Sequence, residues 1–312
     1  IARKYFPVSE TRMNLVNQLV IPRYSALPFY RELERDLALQ GSRMINSFME
    51  HDYIASFDYY FDLEEYTPKS YFSLQEVPKN KGPFVVKGKT NSRKQQWKEK
   101  MFAKNYEDLV KLYVELSNDP LIGDQGIVIR DFIPLENFGT GLNGLDFANE
   151  WRFFFYKNTL LTYGYYWSSG ETMPKKEDLD PEAIKLAHEM AEIASRRVNF
   201  FVLDLAKTKD GKWILIEMND AQMSGLSENS PEDLYRNLAM ALEKEEKRVA
   251  LAAKFNGHII MGMFDDLKSN PKELGAFIRQ FKEEYSDEVL LCLTPEGIKT
   301  LLTSFYTKLK GA

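Results

Sequence analysis

The stretch "VLDLAKTKDGKWILIEMND", residues 202 to 220, decides how the rest of the chain is read. Two apolar runs flank Asp210-Gly211, a dipeptide that favours a tight hairpin turn, so residues 199 to 219 read as two antiparallel strands. Successive side chains of a strand point to opposite faces. Glu217 and Asn219 therefore share a face, and Asp204 can reach it from the partner strand. Three oxygen donors on one sheet face suit Mg²⁺, a hard ion usually held by one or two carboxylates together with substrate phosphates. A solvated strand face carries the same residue types, so both readings stand at this point. The neighbouring Leu203, Leu205, Ile214 and Ile216 are what a strand pair needs if one face is core and the other a lined cleft.

Working outward, "GPFVVKGKTNSRK", residues 82 to 94, contains Gly88-Lys89-Thr90, the end of a P-loop pattern. A P-loop also needs a glycine five residues earlier, so that successive amides wrap the phosphates. That position is Pro83, which has no N–H, and Gly82 is one residue out of register. The match fails. Lys87 also lacks the surrounding pattern of an adenylated lysine. What remains is a lysine closing the apolar strand "PFVV": either a cation leaving for water, or one that reaches a phosphate. Three arginines pose the same choice. Arg130 sits in "IVIRDF", Arg152 in "EWRFFF" and Arg197 before "VNFFVLD". A charge in an aromatic-rich strand is costly to bury unless paired. Arg130 and Arg152 either face water or share a cleft, where each can clamp a phosphate or carboxylate bidentately.

The remaining pattern is helices alternating with hairpins. "QLVIP" reads as a short strand, and "LPFYRELERDLALQG" as a helix with Pro28 at its start and Gly41 past its end. Residues 42 to 61 read as helical, though the pattern is ambiguous, and 64 to 81 as a connector. Residues 105 to 117 form a helix capped by Asn105. "GIVIRDFIPL" is a strand, followed by a loop with Gly139, Gly141 and Gly144. "EWRFFFYKNTLLTYGYYW" is a hairpin turning at Lys157-Asn158. Asp180-Pro181 and Ser230-Pro231 each open a helix. The tail reads strand, helix, strand, helix, with "HIIMGMF" and "EVLLCL" as strands and Cys292 packed in the second as a small hydrophobe. Paired hairpins among helices predict an α+β central domain.

Composition narrows the function classes. The chain has 312 residues, with 44% apolar and 28% charged, as expected of a globular protein with two or three domains. A net charge of −5 implies no general affinity for nucleic acid or anionic membrane. One cysteine excludes an internal disulfide framework and suits a reducing compartment, so a cytoplasmic location is expected. No apolar run reaches membrane-spanning length. The chain opens at Ile1 rather than methionine, which leaves room for sequence ahead of it, and its first residues do not read as a signal peptide. His51, His188 and His258 lie far apart, which argues against a histidine-rich metal site.

Taken together, "FVVKGKTNSRKQQW", "GIVIRDFIPLENFG", "EWRFFFYKNTLL" and "WILIEMNDAQMSGL" resemble the ATP-grasp superfamily. More narrowly they resemble the clade named for two arginines and one lysine, found in phage and bacterial genomes. The resemblance covers about residues 80 to 243, and "VIPRYSALPFYRELERDL" and "RMINS" are similar to the region preceding the grasp in that clade. It implies an α+β ATP-grasp fold in which two subdomains, about 80–128 and 129–245, grip ATP. Residues 1–79 become a pre-ATP-grasp region, and 246–312 a C-terminal helix with a small α/β appendage. It also implies roles. Lys87, with Lys89 beside it, meets the nucleotide phosphates. Arg130, Asp131, Phe132 and Ile133 form the linker whose backbone bonds the adenine edge. Asp204, Glu217 and Asn219 hold Mg²⁺. Arg130 and Arg152 are the clade's two arginines, near the γ-phosphate or the acceptor carboxylate; Arg197 is added to them as a third candidate catalytic cation. One departure stands out: the loop after Lys87 has one glycine and four cations, Lys89, Arg93, Lys94 and Lys98, where many relatives have a glycine-rich loop. Side-chain charge then covers the phosphates, or the loop recognises an acidic acceptor.

The implied reaction is ATP-dependent ligation of a carboxylate to an amine, or another nucleophile, through an acyl-phosphate. The acceptor is a small molecule, peptide or protein. A nucleotide-binding regulatory module without catalysis, and a kinase that stops at phosphoryl transfer, are the rival readings.

Overall fold

A computed structural model of the protein describes residues 1–140, 146–168, 174–254, 276–277, 279–281, 301–302 and 304–307. Its contacts divide the chain into two units, Ile1–Leu238 and Ala239–Ala312.

The first unit begins with a parallel pair, β1 (Leu19–Val20) and β2 (Arg43–Met44), joined through helix α1 (Tyr30–Ala38). Gly41, at φ 73°, turns the chain out of α1 in a conformation that side chains disfavour. The span 42–61 is not one helix. Ser47 caps a new start by accepting from the Glu50 amide, and Glu50 accepts in return from the Ser47 amide. Helix α2 (Phe48–Ala55) then ends before Phe57, whose φ of 70° separates it from α3 (Tyr59–Asp62).

Strands β3 (Ser70–Tyr71), β4 (Phe84–Gly88), β5 (Phe102–Ala103) and β6 (Ile127–Asp131) form an antiparallel sheet ordered β3-β6-β4-β5. Helix α4 (Trp97–Lys100) precedes β5, and α5 (Tyr106–Ser117) follows it. Asn105 caps α5, its Oδ1 accepting from the Asp108 amide at 2.9 Å. The helix buries Leu109, Leu112 and Leu116 with Phe84, Val86, Ile127 and Ile129. Where the sequence suggests a loop, β7 (Asn137–Thr140) and β8 (Asp146–Ala148) pair as a small ribbon. Gly141 and Gly144 lie outside the described residues.

The second sheet contains β9 (Glu150–Tyr156), β10 (Thr159–Tyr165), β11 (Phe200–Lys207) and β12 (Trp213–Asp220), ordered β10-β9-β11-β12 and antiparallel throughout. The β11–β12 turn uses Gly211 at φ 88°. Helix α6 (Pro181–Ala194), capped by Asp180, covers one face with Ala183, Ala187, Met190 and Ala191. Trp151, Phe153 and Phe155 of β9, Phe201, Leu203 and Leu205 of β11, and Leu215 and Met218 of β12 point into that core. Alternation sends Arg152, Asp204, Glu217 and Asn219 to the opposite face. The ladder slips between Asp204 and Leu205, so Ile216 is an extra residue with no Cα partner. This bulge keeps Asp204 opposite Glu217 while Leu205 stays opposite Leu215.

Helix α7 (Pro231–Lys254) starts behind Ser230, whose hydroxyl accepts from the Asp233 amide at 3.1 Å. In the second unit, the described pieces of 276–281 and 301–307 are helical, as expected. There Phe277, Phe281, Leu302 and Phe305 are buried. The strands expected at "HIIMGMF" and "EVLLCL", with Cys292, lie outside the described residues. Among the described residues no helix is long and apolar enough to cross a membrane.

Candidate functional site

Strand β4 puts Phe84 and Val86 into the core under α5, so Val85 and Lys87 face the other way. Val85 is paired with Arg130 in the ladder, which brings that arginine to the same face. The far wall is the polar face of β12. Between them lies a cavity of about 380 Å³, within the usual range of ~300–1,000 Å³ for small-molecule sites. Trp97, Met101, Phe102 and Phe132 contribute apolar lining, and Lys87, Lys94, Glu150 and Glu217 charged lining.

The charges are tightly interlocked. Lys87 Nζ donates to Glu217 Oε1 at 2.8 Å, with both side chains largely withdrawn from water. Burial disfavours the charge on Glu217, but the Lys87 and Lys94 ammoniums outweigh it and hold the carboxyl down at about 2. Burial also pulls Lys87 below the ordinary lysine value, against the attraction of Glu217. The two shifts pull the pair in opposite senses: Lys94 favours the Glu217 carboxylate but, as a second cation, disfavours the Lys87 ammonium, which the short contact with Glu217 supports. Asp204, fully buried, receives Arg152 Nε and Nη2 at 2.8 Å each and Asn219 Nδ2 at 3.1 Å. Arg152 gives Nη1 to the Gly225 carbonyl at 2.8 Å. Arg130 bonds Ser70 Oγ, Thr67 Oγ1 and the carbonyl of Ile216. That last acceptor is the bulge residue outside the β11–β12 register, so the arginine joins the two sheets at the point where the ladder is interrupted.

The structure thus brings Lys87, Arg130, Arg152, Asp204, Glu217 and Asn219 together. Asp131, Phe132 and Ile133 line the cavity. The amides of Asp131 and Phe132 are already given to the carbonyls of Lys69 and Pro83, at 2.8 and 3.0 Å, and that of Ile133 is not taken up among the described residues. Lys89 is not in the cavity wall; its Nζ lies 5.8 Å from the Phe72 ring centroid. Arg197 is not brought to the site. Its side chain is 63% exposed and its nearest ion-pair partner is Asp62, at 3.7 Å. Ile214 and Ile216 line the cavity instead of the core, because the bulge leaves Leu215 and Met218 as the inward residues.

Glu150 is a site residue that the sequence reading misses. It is 3% exposed, lines the cavity, and its Oε1 has no hydrogen-bond partner. Burial pushes its carboxyl up to about 7, with Lys94 opposing. A signal is present: Glu150 and Arg152 are two apart on one strand, so the argument applied to the arginine covers the acid as well.

Among the described residues no three His, Cys, Asp or Glu side chains gather as a metal site. The candidate set of Asp204, Glu217 and Asn219 has two carboxylates and one amide. Its donors are all oxygen, and Asp204 and Glu217 are direct cross-strand partners. That fits a hard divalent ion completing its shell with ligand oxygens and water. It does not fit a soft or imidazole-seeking metal.

No curated protein matches the chain. Several solved structures are similar to part of the chain at low identity. The ATP-grasp ligase PsnB, complexed with a minimal precursor, is 14% identical over 68% of this chain and 68% of its own, with a TM-score of 0.43. A RimK domain ATP-grasp protein from Sphaerobacter thermophilus is 14% identical over 70% of this chain and 78% of its own, at 0.44. A D-alanine–D-alanine ligase from Bacillus anthracis, complexed with ATP, is 13% identical over 62% and 63%, at 0.42. The decisive match is to a family model over residues 74–238, that of the ATP-grasp domain in family 3 of the clade named for two arginines and one lysine. These residues include both sheets apart from β3, and every charged side chain of the cavity wall. The fold is therefore the α+β ATP-grasp fold, and the chain belongs to the two-arginine, one-lysine clade of the ATP-grasp superfamily.

Proposed function

We propose that the chain is an ATP-dependent carboxylate–amine ligase, or a ligase to another nucleophile, which binds ATP and Mg²⁺ in the cavity between β4, β6 and β12. The observation that carries this reading is the Lys87–Glu217 contact at 2.8 Å in the cavity wall, with Asp204 directly across the ladder from Glu217. A buried ammonium and two carboxylates at one spot suit a polyphosphate and its divalent ion together better than either alone. Adenine has an apolar slot beside Phe102 and Phe132, and the uncommitted Ile133 amide is a donor for its edge. Glu150 Oε1, an unpartnered acceptor, suits a nucleotide hydroxyl.

Lys87 then meets the phosphates. Asp204, Glu217 and Asn219 hold Mg²⁺, which when bound neutralises charge on the phosphate oxygens. Arg130 and Arg152 each have three N–H groups committed to protein acceptors. Of the five donors on a guanidinium, the rest remain for the γ-phosphate or the acceptor carboxylate. The acceptor's carboxylate oxygen attacks the γ-phosphorus, the bond to the β-phosphate oxygen breaks, and ADP leaves. The amine nitrogen then attacks the acyl carbon, the carbon–oxygen bond to phosphate breaks, and the amine proton passes to solvent or phosphate. Neither step needs a protein nucleophile; both need in-line positioning and neutralised charge.

The test is incubation with ATP, Mg²⁺ and panels of carboxylates and amines, with ADP release and product mass as readouts. Acceptor-dependent ADP with a condensed product supports ligation. ADP with a product heavier only by a phosphoryl group would make it a kinase. No turnover with any acceptor, together with tight ATP binding, would favour a regulatory module.

A further inference from the structure

The loop after β4 carries four cations, and the structure sends them in different directions. Arg93 gives Nε and Nη2 to Asp119, at 3.0 and 2.5 Å. Lys89 lies near the Phe72 ring, outside the cavity wall. Lys98 lines the cavity with its side chain in solvent. Lys94 also lines the cavity, and its Nζ donates to the hydroxyl of Tyr166, one residue beyond β10, at 2.7 Å. It lies 4.5 Å from the Tyr166 ring centroid and 5.8 Å from that of Trp167. Among the described residues no carboxylate is within ion-pair distance of it, and Tyr166 is its hydrogen-bond partner.

The loop is pinned around this residue. Thr90 Oγ1 and Asn91 Nδ2 both donate to Gln125 Oε1, at 2.6 and 2.8 Å, and Arg93 holds Asp119. Lys94 is thus presented by an anchored segment, which lowers the ordering cost of using it. Its situation differs from that of the other cavity ammonium. Lys87 spends its charge on Glu217. Lys94 has three donors and one neutral acceptor, and a part-buried ammonium so placed gains most from an anion. Burial alone would lower its pKa, but Tyr166, Glu150 and Glu217 draw it above the ordinary lysine value, so it stays charged.

We propose that Lys94 binds the terminal phosphoryl group of the nucleotide, with Tyr166 as the positioning residue that holds the ammonium in place until the anion arrives. This rests on the nucleotide reading above and assigns to one side chain the open question of what the cationic loop does. The other anion that could meet Lys94 is the acceptor's carboxylate, and the experiment separates the two.

The full chain is titrated calorimetrically with AMP, ADP and ATP in Mg²⁺, as wild type, Lys94→Met, Lys94→Arg and, as a control, Lys111→Met, an exposed lysine of α5 paired with Glu107. Lys94→Met is expected to weaken ATP at least tenfold, ADP less, and to leave AMP within about twofold. Lys94→Arg retains most of the preference for ATP over AMP, and Lys111→Met changes neither. Equal losses for AMP and ATP, or no loss for ATP, would overturn the assignment. So would intact ATP affinity with a raised KM for the carboxylate acceptor, which would give Lys94 to the acceptor. If Lys94→Met fails to fold, Lys94→Arg decides: a folded arginine variant that no longer prefers ATP over AMP contradicts a charge-based contact, and one that keeps the preference supports it. Wild-type protein that binds none of the three nucleotides overturns the nucleotide reading itself.

Discussion

Two buried polar clusters sit at the same end of β12, and they behave in opposite ways. At Glu217 the charges face a cavity and are only partly closed on one another. Three residues on, Asp220 faces no described cavity, and donors close around it. Its Oδ1 accepts from Asn46 Nδ2 at 3.0 Å and from the Gln222 amide at 2.9 Å, and its Oδ2 contacts His51 Nδ1 at 3.0 Å. Asn46 also bonds both backbone groups of Phe200, and Tyr30 stacks on His51 with ring centroids 4.1 Å apart. This second cluster ties α1 and α2 to the ends of β11 and β12. Both clusters contain orphaned atoms: His51 Nε2 and Gln222 Oε1 in one, Glu150 Oε1 in the other. An unpartnered buried atom is therefore not in itself a mark of a site. What separates the clusters is the cavity, whose wall holds an orphaned carboxyl oxygen and, among the described residues, an ammonium with no carboxylate partner.

The contrast is broken if the same substitution type does the same thing in both places. The largest effect is expected at the cavity: Glu217→Gln should reduce ATP turnover on the order of 10³-fold, about 4 kcal/mol in the transition state, with the melting temperature within a few degrees of wild type. Steady-state ADP release and a thermal melt on the same sample check this. Asp220→Ala should show the reverse. Stripping a carboxylate from a closed buried network costs about 3 kcal/mol of stability, read as a lower urea midpoint at unchanged slope, while the folded fraction still binds ATP.

A smaller effect sharpens the picture at Glu150. Folding raises its carboxyl from 4.5 to about 7, so between those values the folded protein holds a proton that the unfolded chain has released. Stability is therefore lost as pH rises through that window, and the loss is complete above it. Without nucleotide or metal, Glu150→Gln should be no more stable than wild type near pH 4 and roughly 3 kcal/mol more stable at pH 8. Urea unfolding at the two pH values reads the difference, and a gap that narrowed with rising pH would contradict the buried-acid picture. The smallest effect belongs to Arg197→Ala. Its pair with Asp62 is exposed, so stability should move by less than ~0.5 kcal/mol and nucleotide affinity not at all. A tenfold loss of ATP affinity there would return Arg197 to the site.

Much of the site is written locally. Asp210-Gly211 marks the turn, period-two alternation puts Glu217 beside Asn219, and the apolar run before Lys87 reads as a strand that ends in a cation. These features depend on neighbours within a few positions, so one sequence suffices to see them. Residues 42–61 are harder, because a capping serine and a positive φ at Phe57 interrupt a stretch whose composition favours helix throughout. Glu150 is legible by the reasoning applied to Arg152, but it is hidden beside the more conspicuous arginine. Arg197 fails for the opposite reason: proximity to "VNFFVLD" in sequence says nothing of whether a helix-end side chain turns inward.

The sequence by itself determined the hairpins, their turns, the face shared by Glu217 and Asn219, and the family to which these phrases belong. The hairpins, turns and shared face follow from local backbone geometry and side-chain period, whereas the family rests on the resemblance of the quoted phrases. Only the tertiary structure decided that Lys87 meets Glu217, that Arg152 is spent on Asp204, that Arg130 takes the carbonyl left over at the Ile216 bulge, and that Lys94 is held in the cavity wall by Tyr166. Those pairings join residues about 50 to 130 positions apart, or turn on which way one side chain leaves a loop. The Lys87 and Arg130 contacts are set by how the two sheets pack and the Arg152 contact by the β9–β11 register, neither of which a local rule encodes.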